Sequence, residues 1–263
     1  MKKALAQLSY QIKMKPISTK ELELYENNVE TGHLIPLSTH LNELRNKIII
    51  SLIAFSIATV IGFSTSKEAI RLLTNIAPPE TVFIQIKPGE FFFSCMKISL
   101  YVGIVLSSPV IIWQLGSFIL PGLKPQERKV ALPMFIGSPF LFLIGSIFSY
   151  YFIAPSMLNF LFGFGEGVIS TSISIENFIS FTLSIMAMCG TAFLLPIVIF
   201  SLSGVGIISP QFLLSNWRYA VLASVILGAV LTPTPDPFNM GIISGVLIGL
   251  YFTSYGILVI CKK

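Results

Sequence analysis

Charged residues are scarce in this chain, and their scarcity excludes a soluble globular protein. Of its 263 residues, 54% are hydrophobic and only 11% are charged, whereas a soluble domain carries about 25% charged residues. A surface so poor in charge cannot face water, so we expect most of it to face lipid. The 17 basic and 12 acidic residues give a net charge of +5. In a membrane protein this excess carries orientation information and does not indicate nucleic-acid binding.

Cysteine and histidine are too few and too scattered to predict a metal or redox site. The cysteines lie far apart, in or beside apolar runs, which favours small buried hydrophobic residues over ligands or disulfides. The two histidines, His33 and His40, have no partner at ligand spacing. Neither lies in an apolar run, so Ser/His hydrolysis would have no base there. We therefore expect no metal, no cofactor and no enzymatic activity.

Six apolar runs predict an all-α integral membrane protein with six transmembrane helices in residues 37–263. We expect residues 1–36 to form a separate, flexible polar arm. A span needs about 20 apolar residues. The runs cover approximately residues 48–66, 91–118, 130–153, 176–202, 219–231 and 238–260.

The connections between these runs carry further expectations. We expect a polar loop over residues 67–90. We expect the third span to run to about Ile153, ended by Pro155 and by glycines 163, 165 and 167. The fifth run would give roughly 20 Å of helix, short of a ~30 Å hydrocarbon core. Three prolines after it predict a turn, so the last two helices form a hairpin.

Basic residues predict that both termini face the cytosol or stroma. If the N-terminus lies inside, the inner segments hold 13 of the 17 lysines and arginines and the outer loops hold three. Such a bias fixes orientation in membrane proteins. It places two charged segments, residues 40–47 and 124–129, on the same inner face.

These two charged segments carry a recognisable pattern. The first contains His40-Leu-Asn-Glu43-Leu-Arg45, and the second follows Phe118-Ile-Leu-Pro121 and contains Glu127-Arg128. In this order and in these positions between apolar runs, the segments resemble the TatC family, the multi-spanning receptor of twin-arginine protein translocation. The stretch 83–90 resembles the cyanobacterial and plastid branch of that family.

The resemblance implies a fold, a function, partners and a location. The six tilted helices would form a curved, glove-like arrangement with both termini inside. The chain would be the core subunit that binds twin-arginine signal peptides of folded precursors and nucleates the translocation site. Single-span TatA- and TatB-type proteins and further copies would assemble on it, and the protonmotive force would drive transport. A plastid thylakoid membrane is the expected location, and a bacterial inner or thylakoid membrane is the alternative.

The same resemblance assigns signal-peptide binding to the charged segments. A carboxylate can accept a planar guanidinium through two parallel hydrogen bonds, which lysine cannot reproduce. Glu43 and Glu127 would each hold one arginine of the signal. Four further residues would support them, namely His40, Arg45, Phe118 and Arg128. The plainer alternatives are an i,i+4 pair of Glu43 with Lys47 and an acid at a helix start for Glu127.

Further residues are candidates for partner contact or transport. The resemblance assigns such roles to Pro121 and Asp236, although Asp236 also suits a turn between prolines. Lys97 is a further candidate for a role in transport, although its amine could instead simply extend to the outer interface. Glycines 241, 245 and 249 form a ladder on the sixth helix that permits close contact, and we expect it to pack within the protomer.

Three positions depart from the family pattern because they are apolar where the family often has a polar residue. They are Leu194, Met240 and Phe252. Leu194 is therefore expected to receive a partner helix by shape and not through polar contacts.

A multi-spanning solute transporter or channel is the competing class. Such proteins place ionisable residues near the bilayer midplane. Here only Lys97 lies inside a span, near its end, and no inverted repeat is visible. The sequence therefore favours the translocase.

Overall fold

The architecture is taken from a computed structural model of the chain. The structure describes residues 37–79, 81–120, 125–163, 172–204, 206–232 and 236–261. The predicted polar arm, residues 1–36, lies outside the described residues, so its flexibility stays a prediction. Contacts divide the chain into two units, Met1–Arg45 and Asn46–Lys263, and the hydrophobic core belongs to the second.

Helices dominate the described residues. In chain order they are α1 Leu37–Ser64, α2 Ser66–Thr74, α3 Glu90–Ile119, α4 Pro125–Phe148, α5 Ala154–Gly163, α6 Ile175–Ala192, α7 Leu195–Gly204, α8 Pro210–Ser215, α9 Trp217–Leu231 and α10 Pro237–Cys261. Two short strands, β1 Val82–Ile84 and β2 Ser172–Ser174, pair in parallel, with Phe83 opposite Ile173.

The predicted all-α membrane fold is confirmed. Five helical segments are long and apolar enough to cross a membrane: Asn42–Ser64, Glu90–Ile119, Ala131–Gly163, Ile175–Gly204 and Pro237–Ile260. Helix α9 is the shorter apolar helix between the fourth and the last of them. Its 15 residues correspond to about 22 Å, which agrees with the expected short fifth span.

The third span corrects the expected end near Ile153: the helix continues past Pro155 and ends at Gly163, the first of the glycines expected to end it. The helix passes through a single π turn, Ser149–Ile153, and continues as α5 to Gly163. Proline has no N–H to donate to the preceding turn. The wider turn adapts to this gap, because the N–H of Ala154 donates to the carbonyl of Ser149 instead.

The fourth span contains a break that the sequence did not predict. Phe193 and Leu194 form a turn between α6 and α7, directly before Pro196. The N–H of Leu194 donates to the Thr191 carbonyl at 3.1 Å, and that of Ile197 donates to the Leu194 carbonyl at 3.1 Å. The missing N–H of Pro196 accounts for a break at this point.

The expected polar loop over residues 67–90 contains regular structure. Helix α2 and strand β1 lie in it, and β1 pairs with β2, which precedes α6. Phe83 of β1 packs edge-on against Phe178 of α6, with ring centroids 5.0 Å apart. We call β1, β2 and the first turns of α3 and α6 the strand end of the molecule.

The core lies around α6, whose Phe178 and Ile179 are fully buried. Beside the strand end, Leu73 of α2 and Ile98 of α3 join them in one cluster. Glycines permit close helix crossings elsewhere. A Cβ on Gly145 of α4 would lie 2.7 Å from the Cys189 carbonyl of α6, a distance that only glycine tolerates.

Candidate functional site

The first charged segment lies on α1. The helix includes His40, Glu43 and Arg45, because their stretch contains no helix breaker after Pro36. Glu43 is half-buried and Arg45 is exposed. The side chain of His40 lies outside the described residues.

The second charged segment opens α4. Pro125 begins the helix, where its missing N–H costs nothing, and Glu127 follows in the first turn, where an acid favours the positive helix end. Arg128 is exposed. Pro121 and the side chain of Glu127 lie outside the described residues. The predicted pairing of Glu43 and Glu127 on one signal peptide therefore stays a prediction.

A hydrogen bond joins α1 to the end of α3 close to Phe118. The Lys47 amine donates to Ser117 Oγ at 2.6 Å. Phe118 itself is half-buried, one residue further along the same helix. The bond fixes this stretch of α1 against the end of α3, from which the chain leads on to α4.

Lys97 has a charged partner that sequence reasoning did not identify. Its amine lies 2.6 Å from Glu176 Oε1 and 2.8 Å from Ser180 Oγ, so it joins α3 to the first turns of α6. The side chains of Lys97 and Glu176 are 41% and 27% exposed. The spacing of Glu176 and Ser180 on one helix face is a possible signal, but nothing in the sequence matches it to Lys97.

Glu90 is a second residue that sequence reasoning missed. It is 4% exposed at the start of α3. Its Oε2 accepts hydrogen bonds from the backbone N–H of Ile86 at 3.1 Å and from Ser174 Oγ at 3.0 Å. The carboxylate thus joins β2 and the segment that follows β1 to the start of α3. Gly89 before it has φ +90, a left-handed conformation that glycine adopts without strain.

Asp236 caps helix α10. Its carboxylate accepts hydrogen bonds from the backbone N–H of Asn239 at 2.8 Å and from the side-chain amide of Asn239 at 2.9 Å. This geometry satisfies a helix N–H that has no partner within the helix. The structure thus gives Asp236 a structural role, and the partner role stays a prediction.

The described residues show no cluster suited to chemistry on a bound metal. Within them, no group of three or more His, Cys, Asp or Glu side chains could hold a metal ion. The charged side chains of the described residues include those of the segments on α1 and α4 and those in the contacts of the strand end.

A family model decides what kind of protein carries these features. Residues 39–245 match the model described as "Sec-independent protein translocase protein (TatC)". The chain belongs to the TatC family.

Individual relatives agree with this assignment. The chain is 39% identical to an uncharacterized tatC-like protein, ycf43, of Porphyra purpurea, over 94% of this chain and 95% of the relative. It is 38% identical to the TatC of Synechocystis over 88% and 91%. It is also 40% identical to the chloroplastic TATC of rice over 81% of this chain, but it spans only 59% of that protein.

A solved TatC structure confirms the fold. The crystal structure of a twin-arginine translocase receptor, TatC, superposes with a TM-score of 0.71 at 35% identity, over 83% of this chain and 99% of that one.

Membership in the TatC family settles the coarse function. The protein is a subunit of a Sec-independent protein translocase, a transport component and not an enzyme. It is an integral protein of a thylakoid or bacterial inner membrane. The expectations of a translocase class, a transport role and a location in a thylakoid or bacterial inner membrane are therefore confirmed, and the solute transporter or channel is set aside.

The glycine ladder of this TatC corrects a prediction. A Cβ added to Gly241, Gly245 or Gly249 would meet no described atom within 4 Å, so the ladder does not pack against the described part of the protomer. The buried face of α10 carries Ile243 and Leu247 instead. Residues two apart on a helix lie on nearly opposite sides, so the glycines point away from the core.

Leu194 lies in the break of the fourth span and is half-buried. The family often has a polar residue here, and this chain presents an apolar one. A polar group is still present at the break. Because Pro196 has no N–H, the backbone carbonyl of Ala192 lacks its usual helical donor.

Proposed function

We propose that this chain is the receptor subunit of a twin-arginine translocase and that Glu43 and Glu127 hold the two arginines of the signal peptide. The observation that carries the proposal is its likeness to a solved twin-arginine translocase receptor at 35% identity. Both charged segments of the present chain fit that role, because each offers one carboxylate near the end of an apolar span.

The chemistry explains why arginine would be required. The guanidinium is planar and can donate two parallel hydrogen bonds to one carboxylate, whereas a lysine amine cannot reproduce that fork. Arg45 and Arg128 are exposed, and they would orient the carboxylates or contact lipid phosphates. His40 and Phe118 would complete the surface.

Other subunits would assemble in the membrane. Single-span TatA- and TatB-type helices and further copies of this chain would pack against apolar spans, and the protonmotive force would drive passage of the folded precursor. Leu194 and the open glycine ladder are the contact positions proposed for partner helices, with shape and dispersion supplying the contact.

The test is binding of a labelled twin-arginine peptide to the purified full chain in vesicles. Glu43→Ala and Glu127→Ala should each weaken binding, because losing a hydrogen bond to a charged group costs about 1.5–3 kcal/mol, roughly 10- to 150-fold in Kd. Glu→Asp at either position should do less harm.

Two controls define the outcome. Glu68→Ala removes an exposed acid that pairs with Arg71, and it should leave the Kd unchanged. A peptide with two lysines should bind the parent weakly and be insensitive to the glutamate variants. Equal Kd values for the parent and both alanine variants would show that these carboxylates do not receive the arginines.

A further inference from the structure

An apolar cavity of about 360 Å³ lies between α2, α3, α4, the π turn and α6. Ala69, Leu72 and Leu73 of α2 cover one side. The other walls come from Ile98–Val105 of α3, from residues 143–151 and from Leu183 and Met186 of α6. The volume lies at the small end of the ~300–1,000 Å³ typical of ligand sites.

The lining requires nothing polar from a ligand. No Lys, Arg, Asp or Glu belongs to it. The hydroxyl of Tyr101 donates to Ser146 Oγ at 2.9 Å, and Ser146 Oγ donates to the Phe142 carbonyl at 3.0 Å. The Tyr150 hydroxyl donates to the Leu72 carbonyl at 2.9 Å. Because these hydroxyls already have protein partners, an apolar ligand would leave no buried polar group unsatisfied.

The mouth of the cavity opens at the outer surface of the helices. Leu72, Ile147 and Tyr151 lie on its rim and are 58%, 53% and 67% exposed. On α3, the lining begins eight residues after Glu90, roughly 12 Å into the helix. At that depth the solvent of a membrane protein is hydrocarbon chains and not water.

The setting of the cavity favours a linear hydrocarbon chain as its occupant. One helical turn is about 10–12 Å across with its side chains, so a helix of another protein is a much wider occupant than a single acyl chain. The lining is apolar, and acyl chains are what the bilayer around the spans supplies.

We propose that this cavity binds one acyl chain of a bilayer glycerolipid, inserted between α2 and the α3–α4–α6 walls. The ordered α2 is part of the site, since it supplies the cover and the carbonyl that Tyr150 contacts. The bound chain would fill the space that the helices leave, so the lipid would act as a structural ligand of the strand end. This proposal does not depend on how signal peptides bind.

The test uses the full chain in vesicles of phosphatidylglycerol that carries a diazirine in the middle of one acyl chain. After photolysis, adducts are mapped by mass spectrometry. The parent should show adducts concentrated on residues 98–105 and 143–151. Val105→Phe and Ala69→Phe fill the cavity from two sides and should each reduce these adducts several-fold, to the level found on exposed α1.

Matched controls lie on the same helix. Ile104 is 49% exposed and does not line the cavity, so Ile104→Phe should leave the adducts unchanged. Tyr101→Phe should leave them unchanged as well, because the proposed ligand makes no use of that hydroxyl. Val105 lies inside a span, so Val105→Phe could destabilise the protein and lower its melting temperature. Ala69 lies outside the spans, so Ala69→Phe then provides the decisive comparison.

Three results would overturn the proposal. Equal adduct yields from Val105→Phe, Ala69→Phe and Ile104→Phe would mean that the lipid contacts only the outer surface. A loss of adducts in Tyr101→Phe would indicate a ligand with a polar group. Displacement of the adducts by a soluble twin-arginine peptide with its apolar segment would assign the cavity to the passenger instead.

Discussion

The acidic residues Glu90 and Glu176 at the strand end lie in a different setting from Glu43 of the first charged segment. Glu90 is almost fully buried and accepts hydrogen bonds from two neighbouring elements, and Glu176 pairs with Lys97 across two helices. Glu43 is only half-buried, on a segment with an exposed Arg45. The difference teaches that the strand-end carboxylates hold elements of this chain together, whereas Glu43 lies beside an exposed Arg45 on the segment that we propose for signal-peptide binding.

The largest expected effect comes from Glu90. Glu90→Ala leaves the Ile86 N–H and the Ser174 hydroxyl without their acceptor. Ser174 is buried, and a buried polar group without a partner is costly. We expect the melting temperature in detergent to fall by several degrees, while peptide binding to folded protein stays unchanged. Glu90→Gln retains a carbonyl acceptor and should lose less.

Glu68→Ala is the control for Glu90, since its carboxylate is exposed at 71%. If Glu90→Ala and Glu68→Ala have the same melting temperature, the Glu90 carboxylate does not hold the strand end together. The contrast between the strand end and the charged segments would then be wrong for Glu90.

The next effect concerns the Lys97–Glu176 pair. A double-mutant cycle with Lys97→Met and Glu176→Gln should give a coupling free energy of unfolding of about 1 kcal/mol, at the upper end of the range for partly exposed pairs. The same cycle on Arg71 and Glu68, which are 77% and 71% exposed, should give about 0.3 kcal/mol or less. Equal coupling free energies for the two pairs would show that Lys97–Glu176 stabilises the protein no more than an ordinary surface ion pair does.

The smallest effect is expected at Asp236. Losing an N-cap costs about 1 kcal/mol of unfolding free energy, so Asp236→Ala should destabilise the protein by that amount and Asp236→Asn by less. A transport assay on the same variants sharpens the comparison. If Asp236→Asn retains stability but loses transport, the carboxylate acts on a partner in addition to capping α10.

The positions of the spans could be predicted from the sequence because each depends on a local apolar run. The short fifth span was visible for the same reason, since its length is a property of residues 219–231 alone. The two charged segments could be recognised because their order along the chain and their positions between apolar runs identify the family.

Long-range pairings could not be read in the same way. Lys97 and Glu176 are 79 residues apart, and no local pattern joins them. Glu90 looked like part of a motif, but its partners depend on how β1 and β2 pair.

Glycine and proline positions were ambiguous for a related reason. Glycines spaced four residues apart permit close contact with another helix, but the spacing does not tell whether that helix belongs to the same chain. In α10 no described atom of this chain packs against the glycines. A proline removes one N–H, and the chain can respond by ending, by breaking as at Pro196, or by widening one turn as before Pro155. The surrounding helices decide which response occurs.

The short helix α9 has a consequence for the turn that follows it. A helix of about 22 Å ends before a ~30 Å hydrocarbon layer does, so either the bilayer thins locally or the turn lies deeper than an ordinary loop. Of the residues between Leu231 and Asn239, three are prolines, and proline has no N–H to leave unsatisfied. Asp236 supplies an acceptor for another N–H in this region. Three of the seven residues from 232 to 238 therefore have no amide donor to leave unsatisfied, which lowers the cost of placing this stretch close to lipid.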